Sequence, residues 1–166
     1  MRAVRIRLGE DADGEALRAI YNREVTGSVV TFDLVPRTAA EQHAWMAAHQ
    51  GVYPVVVAED DDGTIAGFAS LSPYRPRPAY STTVEDSVYV AATRRGEGVG
   101  RVLLGEVVDL AAAHGFHSVI ARIVGGHEAS IGLHRSCGFR LVGIEQEVGR
   151  KFGRWLDVAV MQRLLA

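Results

Sequence analysis

The spacing of apolar residues along the chain predicts alternating strands and helices. Val4, Ile6 and Leu8 alternate with charged residues, as in a half-buried strand. Further apolar runs predict strands, and apolar residues at helical spacing predict helices. The predicted strands cover residues 4–8, 54–59, 64–72, 82–90, 118–124, 140–147 and 155–163. The predicted helices cover 13–25, 39–50, 98–114 and 128–136.

Capping and turn residues support these boundaries. Asp13 is placed to cap the first helix, and Thr38-Ala-Ala-Glu41 matches the capping box of the second. Asp60-Asp-Asp-Gly63 is typical of a hairpin turn. The resulting order, β-α-α-β-β-β-α-β-α-β-β, predicts a mixed sheet flanked by helices, in the α/β or α+β class. In the third helix we expect these residues to face inward: Val99, Val102, Leu103, Val107, Leu110 and Ala111.

Composition and charge narrow the class of protein. The 166 residues suit one domain covering 1–166, and 48% apolar with 23% charged residues is ordinary for a soluble globular protein. A net charge of −2 argues against a nucleic-acid partner. No apolar run is long enough to span a membrane, and no signal-peptide pattern is present. We therefore expect a cytoplasmic protein without a membrane partner.

The cysteine and histidine residues offer no metal-binding pattern. Cys137 is the one cysteine, so no disulfide can form within the chain. The six histidines stand apart, and none has the spacing of a zinc ligand. We therefore expect no metal site, and we interpret Cys137 as a packing thiol.

The clearest chemical signal is the stretch Arg95-Gly-Glu-Gly-Val-Gly-Arg101 between a predicted strand and a predicted helix. Alternating glycines let a ligand approach the backbone, and the first N–H groups of a helix are unpaired and partly positive. Together with Arg94, this predicts a site for a phosphate or pyrophosphate. The alternative is a flexible turn with surface arginines. Neither a P-loop nor a dinucleotide fingerprint fits, because the required lysine or last glycine is missing.

These residues resemble a known family. Arg95–Gly100 resembles the R/Q-x-x-G-x-G/A signature of the GNAT acyltransferases. Thr83-Val-Glu85 and Lys151–Asp157 are similar to the branch that acetylates phosphinothricin, methionine sulfoximine and other L-amino acids. The resemblance implies a mixed, mostly antiparallel twisted sheet and acetyl-CoA as acyl donor. It also implies transfer to the α-amino group of a small amino acid or analogue, by direct attack, in a homodimer. Further matches lie at Tyr21-Asn22, Thr31-Phe32, Ala129–His134 and Gly138-Phe139.

The resemblance also implies a set of cofactor contacts. The glycine stretch would hold the pyrophosphate of the coenzyme, and residues 88–90 would lie alongside its pantetheine arm, with one N–H polarising the thioester. His127 stands where the family usually has asparagine, and Ser136 would offer a hydroxyl. The full predicted set is Val88, Tyr89, Val90, Arg95, Gly96, Glu97, Gly98, Val99, Gly100, Arg101, His127 and Ser136.

Two residues are predicted to be catalytic. Glu85 matches the glutamate proposed as general base in the family, and its alternative is a rim carboxylate paired with an arginine. Asp86 is the rival base, but strand alternation puts it on the opposite face, with Val84 and Val88. The resemblance implies a bulge in this strand, which could re-aim a side chain. His134 is predicted to handle a proton at the leaving thiolate, or else to be a packed, hydrogen-bonded histidine.

The acceptor would be held beside a proline-rich loop. Arg75, with Arg77 as the alternative, could pair with the acceptor's carboxylate, or could simply be solvent-exposed charge. The resemblance implies that four further residues line the pocket: Phe32, Pro78, Ala79 and Tyr80. Phe152 and Trp155 would serve subunit pairing as much as ligand contact, with ordinary core packing as the alternative.

Two other functions remain open from the sequence. A non-catalytic module that binds acyl-CoA and regulates would keep the glycine stretch without needing Glu85 or His134. An acetyltransferase for peptide or protein amines would need an open groove, which the sequence cannot reveal.

Overall fold

A computed structural model describes residues 2–166, and its elements follow the predicted order. The seven strands are β1 Arg5–Leu8, β2 Val55–Glu59, β3 Ile65–Pro73, β4 Thr83–Val90, β5 Ser118–Val124, β6 Arg140–Lys151 and β7 Arg154–Leu164. The four helices are α1 Gly14–Gly27, α2 Ala39–Ala48, α3 Val99–Ala113 and α4 Glu128–Ser136. None of the helices in this described part of the chain is long and apolar enough to cross a membrane.

All seven strands form one sheet in the order β1-β2-β3-β4-β5-β7-β6. Every neighbouring pair is antiparallel except β4 and β5, which run parallel. The helix α3 connects these two strands, as a parallel pair requires. The expectation of a mixed, mostly antiparallel sheet is therefore confirmed.

Helices cover both faces of the sheet, because side chains alternate along each strand. Val55 and Val57 of β2 pack with α1 and α2 on one face. Val56 and Ala58 point to the other face, where α3 and α4 complete a larger core. Leu103 of α3 is fully buried there. A side chain of this size contributes about 1.5–3 kcal/mol when it is completely removed from water.

The strands β4 and β5 separate soon after they meet. Their ladder joins only three residue pairs, the last being Glu85 with Ile120. Beyond that point, residues 86–90 remain paired with β3 on one side. Among residues 2–166, no strand pairs with the opposite edge of residues 86–90. The separation leaves an opening through the sheet.

Two predictions about capping had different outcomes. The capping box of α2 is confirmed, because Glu41 N–H donates to Thr38 Oγ1 at 3.2 Å and Thr38 N–H donates to Glu41 Oε2 at 2.7 Å. The prediction for Asp13 was wrong, because its side chain does not cap α1. Its carboxylate instead accepts hydrogen bonds from the Arg7 guanidinium at 2.7 and 2.9 Å.

Other differences concern register and helix orientation. The expectation of a bulge in β4 is wrong, because β4 pairs with β3 without a register shift from Val84 to Val90. Val102 of α3 is 38% exposed, whereas Leu104 and Val108 are buried, so the inward face of α3 is rotated from the predicted one. The strand β6 continues to Lys151, four residues beyond its predicted end.

The close approach of β3 and β4 gives a prediction for stability. A Cβ at Gly67 would lie 2.8 Å from the Tyr89 carbonyl oxygen and 3.1 Å from Val90 Cα, both backbone atoms. We expect Gly67→Ala to lower the free energy of unfolding by about 1–3 kcal/mol. Gly143→Ala is the control, because a Cβ there meets no atom within 4 Å. Urea unfolding of both variants checks the prediction, and equal stabilities would contradict it.

Candidate active site

A cavity of about 670 Å³ occupies the opening between β4 and β5. Its walls come from both faces of the sheet, including the segment after α1 on one face and α4 on the other. The structure brings most of the predicted site residues together in these walls. They are Phe32, Glu85, Val88, Tyr89, Val90, Arg95, Gly96, Gly98, Val99, Gly100, Arg101, His127 and His134.

Six predicted site residues do not line this cavity. The Glu97 side chain instead accepts a hydrogen bond from Arg94 at 2.9 Å. Ser136 is exposed, and its hydroxyl donates to the Leu133 carbonyl at 2.7 Å. The other four belong to the exposed loop before β4: Arg75, Pro78, Ala79 and Tyr80.

The glycine stretch has the backbone that an anion site requires. Gly96 and Gly98 have φ values of 76° and 83°, a region that favours glycine. The helix α3 begins at Val99, and its first hydrogen bonds run from Arg101 N–H and Val102 N–H to the Gly98 carbonyl. The N–H groups just before them are therefore available to a bound anion, at the positive end of the helix dipole.

The nearby arginines are not equivalent. Arg94 is buried and forms ion pairs with Asp60 and Glu97, so its charge is already neutralised within the protein. Arg95 is more than half exposed and pairs with Glu24 of α1. Burial acts to raise the pKa of Glu24, but the hydrogen bonds from Ser28 and Arg95 outweigh it, so the pKa of Glu24 is lowered. Arg95 and the exposed Arg101 are thus the guanidinium groups that an anion at the loop can reach.

Glu85 is a half-buried carboxylate in the cavity wall. It forms no ion pair with an arginine of residues 2–166. Burial raises the pKa of Glu85, and the neighbouring charge of Asp86 raises it further. The positive charges of Arg122 and Arg75 offset part of this effect. A carboxyl whose pKa lies above its ordinary value is well suited to proton transfer near neutral pH.

His134 forms a buried pair with Asp86 across the cavity wall. Its Nε2 lies 2.9 Å from Asp86 Oδ2, and its Nδ1 lies 2.8 Å from the Ser130 carbonyl oxygen. The side chains are only 4% and 1% exposed. Burial alone would disfavour the charged ring, but the hydrogen bond and charge of Asp86 outweigh it and raise the pKa of His134.

Charged side chains also surround the Glu85 face of the opening. Arg122 lies two residues beyond the partner of Glu85 on β5, and its side chain therefore points to the same face. Its Nη2 is 2.5 Å from Glu145 Oε1 of β6. Arg75 stands over the Tyr74 ring, with its guanidinium carbon 5.0 Å from the ring centroid. This face thus offers both carboxylates and guanidinium groups to a zwitterionic ligand.

The segment after α1 closes one end of the cavity. The Phe32 ring rests on Gly149 of β6, where a Cβ would clash with the ring. Lys151 is buried, and its Nζ donates to the Thr31 carbonyl at 2.8 Å. Burial lowers the pKa of Lys151. The Tyr21 hydroxyl lies 2.9 Å from Thr31 Oγ1. These contacts fasten the segment to both α1 and β6.

The sequence prediction missed several of these residues. The predicted site does not include Glu24, Arg122 or Glu145, and it includes Asp86 only as the rival base. Two signals were available. The first is that strand alternation buries Asp86 on the same face as Val84, so its carboxylate needs a partner. The second is that Arg122 is the one charged residue in the apolar run Ser118–Val124. In the part of the chain that the structure describes, no three His, Cys, Asp or Glu side chains are grouped to hold a metal ion.

Comparisons with known proteins agree with this geometry. A domain described as Acetyltransferase (GNAT) domain matches residues 6–160. L-methionine sulfoximine/L-methionine sulfone acetyltransferase of Pseudomonas paraeruginosa is 43% identical over 153 residues, covering 91% of this chain and 88% of the relative.

Two solved structures are similar over nearly the whole chain. One is a GNAT superfamily phosphinothricin acetyltransferase from Sinorhizobium meliloti in complex with AcCoA, with a TM-score of 0.94 and 41% identity. The match covers 100% of this chain and 90% of that one. The other is ribosomal-protein-alanine N-acetyltransferase from Brucella melitensis, also with a TM-score of 0.94 and 41% identity, covering 97% and 99% of the two chains.

Proposed function

Because the chain belongs to the GNAT acetyltransferase family, we propose that it transfers the acetyl group of acetyl-CoA to the α-amino group of a small amino acid or analogue. The observation that carries this proposal is the opening between β4 and β5. It joins a backbone anion site at one end to a carboxylate, Glu85, whose pKa is raised. The acceptor class follows the relatives, which act on phosphinothricin, methionine sulfoximine and methionine sulfone.

Acetyl-CoA fits the residues on the coenzyme side of the cavity. Its pyrophosphate would lie against the N–H groups near Gly98 and Gly100, within reach of Arg95 and Arg101. Its pantetheine arm would hydrogen-bond the free edge of β4 at residues 88–90. The β4–β5 separation supports this, because an extended arm can there take the place of a strand.

The reaction needs a neutral amine, a polarised thioester and a departing thiolate. An α-amino group has a reference pKa near 8, so a modest base suffices to remove its proton. Glu85 would accept that proton, directly or through a water. A backbone N–H of β4 would stabilise the oxyanion as the nitrogen bonds to the acetyl carbon. The C–S bond then breaks and its electron pair leaves with the sulfur.

The acceptor would lie on the face that carries Glu85. Arg75 is close enough for its charge to lower the pKa of Glu85, which supports its pairing with the acceptor's carboxylate. Phe32 would form the apolar wall, and Arg122 would stand near the acceptor's side chain. Pro78, Ala79 and Tyr80 would border the pocket from the exposed loop.

An acceptor panel tests this function. We expect acetyl-CoA with methionine sulfone, methionine sulfoximine or phosphinothricin to release free thiol, since each presents an α-amine beside a carboxylate. The measurement is kcat/KM for each acceptor, together with ordinary amino acids and an alanine-terminated peptide. Acetylation of the peptide alone would indicate a protein-amine acetyltransferase, the activity named for the Brucella structure. Binding of acetyl-CoA with no turnover would indicate a regulatory module.

The assignment of Glu85 gives a second prediction. Glu85→Gln should lower kcat by roughly 10²–10⁴-fold while acetyl-CoA binding is retained, because the amide cannot accept the proton. Since Glu85 acts as the carboxylate and its pKa is raised, wild-type activity should fall as the pH drops through that raised pKa. The part of this acidic limb that follows the protonation of Glu85 should be absent from the residual activity of the variant, which keeps only the fall caused by protonation of the acceptor amine itself. Glu106→Gln, at an exposed position of α3, is the control. Undiminished turnover would remove Glu85 from the mechanism.

We also infer that two copies pair through the hairpin of β6 and β7. The hairpin exposes a group of large apolar side chains, and β6 is an edge strand. The group comprises Leu141, Val142, Ile144, Val148, Phe152 and Trp155. Sedimentation should give a dimer for the wild type and a monomer for Val148→Glu. Val35→Glu, on the exposed segment after α1, should remain dimeric. A monomeric wild type at micromolar concentration would refute the pairing.

A further inference from the structure

The ring of His134 has no free nitrogen to offer to a substrate. Nδ1 faces the Ser130 carbonyl, which can only accept, so Nδ1 must carry a proton. Nε2 faces Asp86 Oδ2 at 2.9 Å. When Asp86 is ionised, Nε2 must donate to it as well, and the ring is then a doubly protonated imidazolium.

The surroundings make this arrangement rigid. The ring packs edge-on against Phe139, with centroids 5.1 Å apart and planes at 85°. Both partners of the ion pair are almost completely buried, so neither nitrogen can turn to another partner without breaking a buried hydrogen bond. His134 nevertheless belongs to the cavity wall, on the α4 side of the opening. A charge held in this way has a fixed position relative to any group in the opening.

We propose that Asp86 is a positioning residue for acetyl transfer, holding His134 as a fixed imidazolium that acts through its charge and keeps both ring protons. This rests on the proposed function, since it needs acetyl-CoA in the opening. The alternative in which His134 hands a proton to the sulfur would require Nε2 to leave Asp86 first.

The reaction balances without a proton from His134. The acceptor nitrogen bonds to the acetyl carbon, the C–S bond breaks, and its electron pair stays on the sulfur. Glu85 takes the proton that the amine loses. A thiol has a reference pKa near 8.5, so the sulfur can leave as a thiolate and be protonated by water after release. The positive ring stabilises the charge that develops on the sulfur.

Few other titratable groups face the pair. Glu85 adjoins Asp86 on β4, and His127 precedes α4 and feels the charge of His134. Arg101 of α3 lines the same cavity, whereas the side chain of Arg122 on β5 points to the opposite face of the sheet, with Glu85. Of all these groups, Asp86 alone is hydrogen-bonded to the His134 ring.

The decisive variant is Asp86→Asn, which keeps the size of the side chain and removes its charge. The asparagine amide would donate to Nε2, so the ring would keep one proton and become neutral. We expect kcat at pH 8 to fall roughly 10- to 100-fold, with the KM for acetyl-CoA within about twofold of wild type. The alkaline limb of kcat should move to lower pH, so the loss should be smaller at pH 6.

Two further measurements separate positioning from folding. Ring NMR of the wild type at pH 8 should show protons on both nitrogens of His134, and Asp86→Asn should show one. In a His134→Gln background, adding Asp86→Asn should change kcat by less than about twofold, because Asp86 acts only through the ring. Asp109→Asn, at an exposed position of α3, controls for loss of a carboxylate.

Each outcome decides the proposal. A single ring proton in the wild type, or a full loss of kcat from Asp86→Asn in the His134→Gln background, would overturn it. The NMR result does not depend on turnover. If the wild type released no thiol with any amino acid, the proposed function would fail and the catalytic role of the pair with it. If turnover were normal and only the double-variant test failed, this inference alone would be wrong.

Discussion

The separation of β4 from β5 is the constraint on which the site depends. The two strands share a ladder of three residue pairs and then part, so residues 86–90 have a strand partner on one side only. Backbone N–H and C=O groups left without a partner inside a protein are costly, and a ligand that pairs with them restores what the missing strand would supply. The glycine stretch follows at Gly96, so one interruption of the sheet places both the residues proposed to bind the coenzyme and those proposed to act in catalysis.

The charges around this opening fall into two groups. Arg94 with Asp60, and His134 with Asp86, are buried ion pairs, and in the second pair only one carboxylate oxygen of Asp86, Oδ2, has a hydrogen-bond partner among residues 2–166. Such pairs resist disruption, because removing one partner leaves the other charged and desolvated. Arg95, Arg101 and Arg75 instead lie at the surface or at the cavity mouth. The first group keeps the walls in place, and the second remains available to ligands.

The strands and helices and their order could be predicted from the sequence, because the period of apolar residues follows the local geometry of each element. The glycine stretch could be recognised because backbone with positive φ favours glycine. The prediction failed where contacts between residues distant in sequence determine the structure. Asp13 bonds to Arg7 instead of capping α1, and the buried face of α3 is the one that packs against the strands of the sheet and α4. The pair of His134 and Asp86 joins residues 48 positions apart. The single-domain extent, the cytoplasmic location, the lack of a nucleic-acid partner and the roles of individual site residues stay predictions.

The cavity has walls on both faces of the sheet, with α4 on one side and the segment bearing Phe32 on the other. Under the proposed function one end takes the coenzyme and the other the acceptor, so a single elongated compound, with a coenzyme fragment joined through a short linker to an amino-acid fragment, would fill both. Once one fragment is bound, the tether presents the other at a high effective concentration, and inhibition can exceed that of either fragment alone. The linker length that inhibits best would measure the span of the channel from donor to acceptor.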